Sequence, residues 1–205
     1  MTIASAVKVD GRRARGEATR KALLNAAIAC LIDAGWSGTT TAKISERAGV
    51  SQGLFARYWP SKTALIADAA ALAQQRGFAR LGERYRQATA AGEDGRLVAI
   101  PLLFKAFDEP EMRVLAELQM AAATNGELRR ALNDAILDTY QVVLDGARAM
   151  APPGAVTDDF EQRFLAMIDM ARGLSLRTKQ MSSRLAAQAR EQTVAVVTDV
   201  FGIAA

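Results

Sequence analysis

Apolar side chains return every three or four positions through most of the 205 residues, and apolar-polar alternation over five or more residues is scarce. That period belongs to helices with one buried face, so an all-α fold is predicted. The first helix is expected over 17–34, with Leu24, Ala27 or Ile28, and Leu31 on one side and Gly35 as its stop. A short second helix starts at a cap on Thr40 or Thr41, turns Ile44 and Ala48 inward and ends at Gly49. Longer helices are predicted over 61–90, 95–107, 110–123, 126–150, 158–181 and 184–202. The clearest breaks between them are Ala-Gly-Glu-Asp-Gly at 91–95 and Ala-Pro-Pro-Gly at 151–154. Thr157, Asp158 and Asp159 suit a helix start, because carboxylates are favoured at the positive end of the helix dipole.

Between the second and fourth helices the chain reads AGVSQGLFARYWPSK, residues 48–62. Gly49 accepts the positive φ of a sharp turn, Val50 offers an apolar plug between two helices, and Ser51 is placed to cap a third helix. In that helix Phe55 and Trp59 lie four apart and face inward, leaving Gln52, Gly53, Leu54, Ala56, Arg57 and Tyr58 outward or at the edges. This is a helix-turn-helix whose second helix is small at its leading end. A major groove about 12 Å wide admits such a helix and lets its backbone approach the bases. Pro60 ends the third helix and Ser61 caps the fourth, with Lys62 in its first turn.

Charge sharpens this picture. The net charge is +4, but residues 1–62 hold 10 Lys+Arg against 4 Asp+Glu while the remainder holds 16 against 18. The basic end therefore suits a polyanion, or else is simply a solvated surface. Arg12, Arg13 and Arg15 fall in GRRARGEATRK at 11–21, read as a flexible basic extension that meets phosphates or enters a narrow minor groove, or as a solubilising tail. There is no histidine, which removes Ser-His-Asp and Cys-His nucleophiles and imidazole metal sites. The single cysteine, Cys30, excludes an intrachain disulfide and sits on the apolar side of the first helix, where core packing competes with redox sensing. No catalytic constellation, metal site or cofactor is expected. The N-terminus lacks the apolar core of a signal peptide and no stretch approaches ~18 uninterrupted apolar residues, so a soluble cytoplasmic protein without membrane contact is expected.

Residues 39–65, TTTAKISERAGVSQGLFARYWPSKTAL, preceded by ALLNAAIACLIDAGW at 22–36, resemble the DNA-binding domain of the TetR family of one-component transcriptional regulators. The resemblance implies a domain at 1–62, comprising the basic arm and a three-helix helix-turn-helix unit. A larger helical effector-binding and dimerisation bundle would then occupy 63–205. It implies base reading by Gln52, Gly53 and Leu54, contact with the DNA backbone by Thr41, Tyr58 and Lys62, and a mixed role for Arg57. Lys43, Ala56, Arg13 and Arg15 complete the candidate DNA-binding set. The chain departs from the family at Ala56, where a tyrosine usually contacts the DNA backbone, and at Leu54, which is more apolar than the usual threonine and suits a thymine methyl.

MRVLAELQMAAATNGELRRAL at 112–132 also looks like a segment of TetR-type ligand domains. Candidate ligand residues are Phe104, Phe107, Leu115, Leu118, Gln119, Met120, Tyr140, Phe164 and Met167, all of which serve equally as core. Phe160, Phe164, Met167, Ile168 and Ala171 form one stripe and Val194, Val197, Val200 and Phe201 another, with Gly173 allowing close approach. Together they are read as a four-helix dimer interface, against intramolecular packing alone. The function expected is a homodimeric repressor, not an enzyme, released from a palindromic double-stranded DNA operator by a small-molecule effector. The alternatives are a DNA-binding protein whose C-terminal part takes a protein partner, and a small helical enzyme acting on an anionic substrate.

Overall fold

Nine helices follow one another in a computed structural model that describes residues 3–151, 154 and 156–200, with the side chains of 3–12 and 137–139 outside that description. They are α1 Ile3–Gly38, α2 Thr41–Ala48, α3 Gln52–Ala56, α4 Lys62–Ala90, α5 Gly95–Phe107, α6 Pro110–Ala122, α7 Gly126–Met150, α8 Phe160–Thr178 and α9 Ser183–Val200. The fold is all-α, with no strand among the described residues. Also among them, no helix is long and apolar enough to cross a membrane.

Local chemistry sets most of these boundaries. Thr40 accepts from the Lys43 N–H at 3.2 Å, Ser51 from Leu54 at 3.3 Å, Ser61 from Ala64 at 3.1 Å and Asn125 from Leu128 at 3.0 Å, so each supplies an acceptor to a helix end that lacks one. Gly49 closes α2 at φ 67, where its N–H donates to the Glu46 carbonyl and the Val50 N–H to that of Ser45. At Gly35, φ is 63, so the last turn of α1 is set off from the rest by a kink. The Thr39 hydroxyl donates to the Gly35 carbonyl at 2.7 Å and steadies that bend.

The start of α1 differs from expectation. The segment carrying Arg13 and Arg15 is helical from Ile3 rather than a flexible extension. Arginine, alanine and glutamate are good helix formers. Rich in arginine and short of large apolar residues, however, the segment gives little of the apolar periodicity from which a helix is recognised.

One apolar cluster runs from α1 to α9, including Leu23, Leu31, Ile44, Ile66, Leu103, Leu128, Phe164 and Val197. Helix α1 packs on α2, α4 and α6, while α4 also packs on α5, α6 and α7. Helix α4 is therefore common to both ends of the molecule, and its 29 residues span about 43 Å at 1.5 Å per residue. Arg80 pairs with Glu109 (3.0 Å) and with Glu111, and Arg84 with Glu109, which fixes α4 to the corner between α5 and α6. Close approach is built in at Gly77, where a Cβ would overlap the sulfur of the buried Met112.

Candidate nucleic-acid interface and bundle cavity

Phe55 and Trp59 turn inward from α3 and its end, both under 8% exposed, and seat the element on the core. Their rings lie 6.5 Å apart. Trp59 is held further by its indole N–H, which donates to Asp68 on α4 at 3.0 Å, and by Arg20 of α1, which pairs with the same carboxylate at 2.5 Å and lies over the indole at 5.2 Å. Asp68 thus joins α1, α4 and the end of α3. On the opposite side Arg47 ties α2 to α1 through Asp33 at 2.7 Å and the Cys30 sulfur at 3.8 Å. The bond to Asp33 and then that to Cys30 raise the Arg47 pKa. Cys30 itself is core.

What remains outward is the predicted reading surface. Gln52, Gly53, Ala56 and Arg57 are exposed, and Leu54 and Tyr58 half-buried. At Gly53 nothing lies within 4 Å of where a Cβ would be, so packing does not demand glycine there. A glycine within a helix costs about 0.5–1 kcal/mol relative to alanine. Its use at an unobstructed surface position is intelligible if another molecule must come close.

Thr41 is half-buried, and the exposed Lys43 donates to the Gly38 carbonyl at 2.8 Å. Arg13 pairs with Glu17 at 3.3 Å on the exposed flank of α1. Arg15, Gly16 and Thr19 from that flank meet Arg57 and Tyr58 around one surface concavity. The fold therefore brings the basic segment and the end of α3 to one place, adding Thr19 to the residues singled out from sequence.

Lys62 behaves differently from the others. Its ammonium donates to the Trp36 carbonyl at 2.9 Å and lies 3.8 Å from the centre of the Trp36 ring. Burial lowers its pKa from the ordinary lysine value. In this arrangement Lys62 fastens the start of α4 to the end of α1, and its charge is turned toward protein.

A second feature lies some distance along α4. A partly open cavity of about 90 Å³ is lined by Leu81 and Tyr85 of α4 and by Ala99, Ile100 and Leu103 of α5. Ala147, Met150 and the following Ala151 come from α7, and Phe160, Phe164 and Met167 from α8. Of the ligand residues expected from sequence, only Phe164 and Met167 are in this wall. Phe104, Phe107, Leu115 and Leu118 are buried core outside it, and Met120 is 65% exposed. Gln119 is half-buried away from it, and Tyr140 donates to Glu161 at 2.6 Å, which raises the tyrosine pKa. Helical spacing identifies apolar faces but does not distinguish a filled contact from a void.

The expected dimer stripes divide between core and surface. Phe164, Ile168, Ala171 and Val197 are each under 9% exposed, covered by their own chain, while Phe160, Met167 and Val194 are half-buried against the same core. Gly173 and Val200 are exposed, and Phe201 lies outside the described residues. The apolar side chains that α8 and α9 leave to solvent are Leu165, Met170, Leu185 and Val196, together with Val200 of the expected stripes.

A capped helix-turn-helix with a small, exposed leading face, carried on a helical bundle, is the architecture of a DNA-binding domain. Residues 23–69 match the family described as bacterial regulatory proteins, tetR family. The chain is similar to the uncharacterized HTH-type transcriptional regulator YdeS of Bacillus subtilis (strain 168), at 43% identity over 56 residues, which span 27% of this chain and 28% of that protein. These residues therefore carry a helix-turn-helix domain similar to that of bacterial regulatory proteins of the tetR family.

The fold likeness extends further. A TetR-family regulator from Rhodococcus sp. superposes with a TM-score of 0.59 at 21% identity, over 90% of this chain and 98% of that one. The FadR regulator from Bacillus subtilis, in complex with stearoyl-CoA, superposes with a TM-score of 0.57 at 16% identity, over 88% and 96%.

Proposed function

We propose that the protein is a homodimeric cytoplasmic repressor that reads a palindromic operator with α3 and leaves it when a small molecule occupies the bundle. The observation that carries this reading is the exposed face of α3, unobstructed at Gly53 and flanked by Arg57, Tyr58 and Arg15. Gln52, Gly53 and Leu54 face the bases. Arg15, Thr41, Lys43, Arg57 and Tyr58 meet the DNA backbone, and Lys62 positions the element from behind. Ala56 leaves the aromatic backbone contact usual in the family unfilled, and Arg57 supplies the nearby charge.

The exposed apolar side chains of α8 and α9 support pairing of two copies, which places two α3 helices about 34 Å apart on one face of DNA. The cavity supports an effector, as does the resemblance to a FadR regulator held with stearoyl-CoA. It also favours this reading over a C-terminal part that serves only to bind a protein.

The test is fluorescence anisotropy of the full chain on DNA from immediately upstream of its own coding region, against scrambled DNA of equal length, over a salt series. Tight binding that prefers the upstream segment is expected. Equal weak binding to both, vanishing with salt, would reduce the basic surface to a non-specific polyanion site.

A further inference from the structure

We infer that the cavity between α4, α5, α7 and α8 takes an uncharged, mainly apolar small molecule, oriented by one hydrogen bond to the Tyr85 hydroxyl. This inference rests on the effector reading above and supplies its chemical class.

The wall decides the charge. None of its side chains is ionisable in the neutral range, since it is built of alanine, leucine, isoleucine, phenylalanine and methionine with a single tyrosine. A carboxylate or ammonium entering such a site gives up its hydration and finds no counter-charge, a penalty of several kcal/mol per ion. Glu161, next to Phe160 on α8, is already engaged by Tyr140 at 2.6 Å and by Arg148 at 3.8 Å, and Arg86, which reaches the Gly82–Met150 side of the wall, pairs with Glu83 at 2.6 Å. A neutral carbon skeleton, by contrast, gains from every apolar contact it makes.

Tyr85 is the one polar side chain in the wall. Its hydroxyl donates to no described residue, and a side chain at Gly95 would run into it, so the glycine makes room for the hydroxyl at this place. A half-buried hydroxyl of this kind gives a ligand one directional contact, as a donor or an acceptor. One contact orients a small molecule while leaving most of its affinity to burial.

Size follows from the volume. The cavity measures about 90 Å³, and a dry protein cavity of about 150 Å³ is known to hold benzene, so even one aromatic ring requires side chains to move. Met150 and Met167 supply that adaptability, since an unbranched thioether changes rotamer at small cost. Met150 also reaches α4, its sulfur 3.2 Å from where a Gly82 Cβ would be. A ligand that displaces Met150 therefore acts on the helix that leads to the DNA-reading unit.

The probes are toluene, phenol and benzoate, which share a ring and differ in polarity and charge. Binding to the full chain is read by thermal shift and calorimetry, with Tyr85→Phe and Ala147→Phe as variants. Toluene and phenol are expected to raise the melting temperature in a saturable way, and benzoate at equal concentration to leave it unchanged. Tyr85→Phe should weaken phenol about tenfold while toluene stays within about twofold, the loss of one hydrogen bond. Ala147→Phe should abolish both by filling the space.

Benzoate binding as well as phenol, phenol indifferent to Tyr85→Phe in a folded variant, or toluene binding that survives Ala147→Phe would each overturn the inference. DNA anisotropy with each probe separates the two proposals. Saturable phenol binding that leaves DNA affinity unchanged would sink the effector reading and keep the ligand class, whereas DNA release by benzoate alone would do the reverse.

Discussion

Replacing Lys62 by alanine separates two roles that a lysine at this position can play. If its ammonium met a phosphate, the substitution would remove one counterion-releasing contact and lower the slope of log K against log salt by about 0.9. The geometry points elsewhere, because the ammonium is bonded to the Trp36 carbonyl at 2.9 Å and lies 3.8 Å from the centre of the Trp36 ring. A hydrogen bond from a charged donor contributes about 1.5–3 kcal/mol. A cation over an aromatic face adds about 0.5–1 kcal/mol when partly exposed. Holding the lysine stem in one conformation costs roughly 1.5–2 kcal/mol. The net is a loss of about 1–2 kcal/mol on substitution, or a melting temperature lower by about 3–6 °C for a chain of this size.

The assay pairs a thermal melt with anisotropy on upstream DNA over a salt series, with Arg57→Ala as the companion variant. Arg57 is exposed beside α3, so its loss should reduce the salt slope by about 0.9 and leave the melt within ~1 °C. Lys62→Ala should do the opposite, lowering the melt and DNA affinity while preserving the slope. A Lys62→Ala variant with an unchanged melt and a slope reduced by about one would refute the reasoning, and would mean that the lysine leaves Trp36 for a phosphate on binding.

Gly77→Ala should destabilise the chain by about 1–2 kcal/mol in urea melts, as overpacking against buried Met112 outweighs the gain in helix propensity. In a Met112→Ala background the same change should be neutral or stabilising, and equal effects in both backgrounds would deny the contact. Met170→Glu combined with Val196→Glu, both at exposed apolar positions, should yield a folded monomer by sedimentation with DNA affinity lost; a surviving dimer would place the interface elsewhere. Hydrogen bonds from Thr157 and then Arg163 hold the Asp159 carboxyl below its ordinary pKa. Its stabilising contribution is therefore complete above the unfolded pKa and is lost as pH falls through the lower folded value. Asp159→Asn should narrow the gap in urea midpoint between about pH 6 and about pH 2.5, and an unchanged gap would remove Asp159 from the acid response.

The parts legible in sequence are those set by neighbours in the chain. Helices expected over 95–107 and 126–150 coincide with α5 and α7, because Asp94 and Asn125 are caps whose oxygens act two or three residues ahead. The turn at Gly49 and Val50 and the cap at Ser51 are equally local. Outside that range the sequence is silent for stated reasons. Lys62 and Trp36 are 26 residues apart, and Arg20 and Asp68 are 48 apart, so no helical spacing links them. The apolar stripes of α8 and α9 are visible, but a stripe says only that a face is covered, and not by what: Phe164, Ile168, Ala171 and Val197 are covered by their own chain and Val200 is not. The cavity is a gap left by four helices, so it depends on where those helices stand and is written in no single segment.

Those distant contacts converge on α4, which gives the proposed regulation a physical route. Near one end, Asp68 holds Arg20 and Trp59 while Lys62 holds Trp36, so α4 cannot shift there without moving α1 and the seat of α3. Toward the other end, Leu81 and Tyr85 line the cavity and Gly82 lies against Met150. Between the two, Arg80 and Arg84 fasten the helix to Glu109 and Glu111, which makes the α5–α6 corner the natural pivot for a tilt. A ligand that fitted the existing cavity without disturbing it would bind both arrangements of α4 equally and regulate nothing, however tight its binding. A volume below the ~150 Å³ of a cavity that holds benzene is therefore suited to regulation, because filling it requires α4 or Met150 to move, and that movement is where a difference in affinity between the two arrangements can arise.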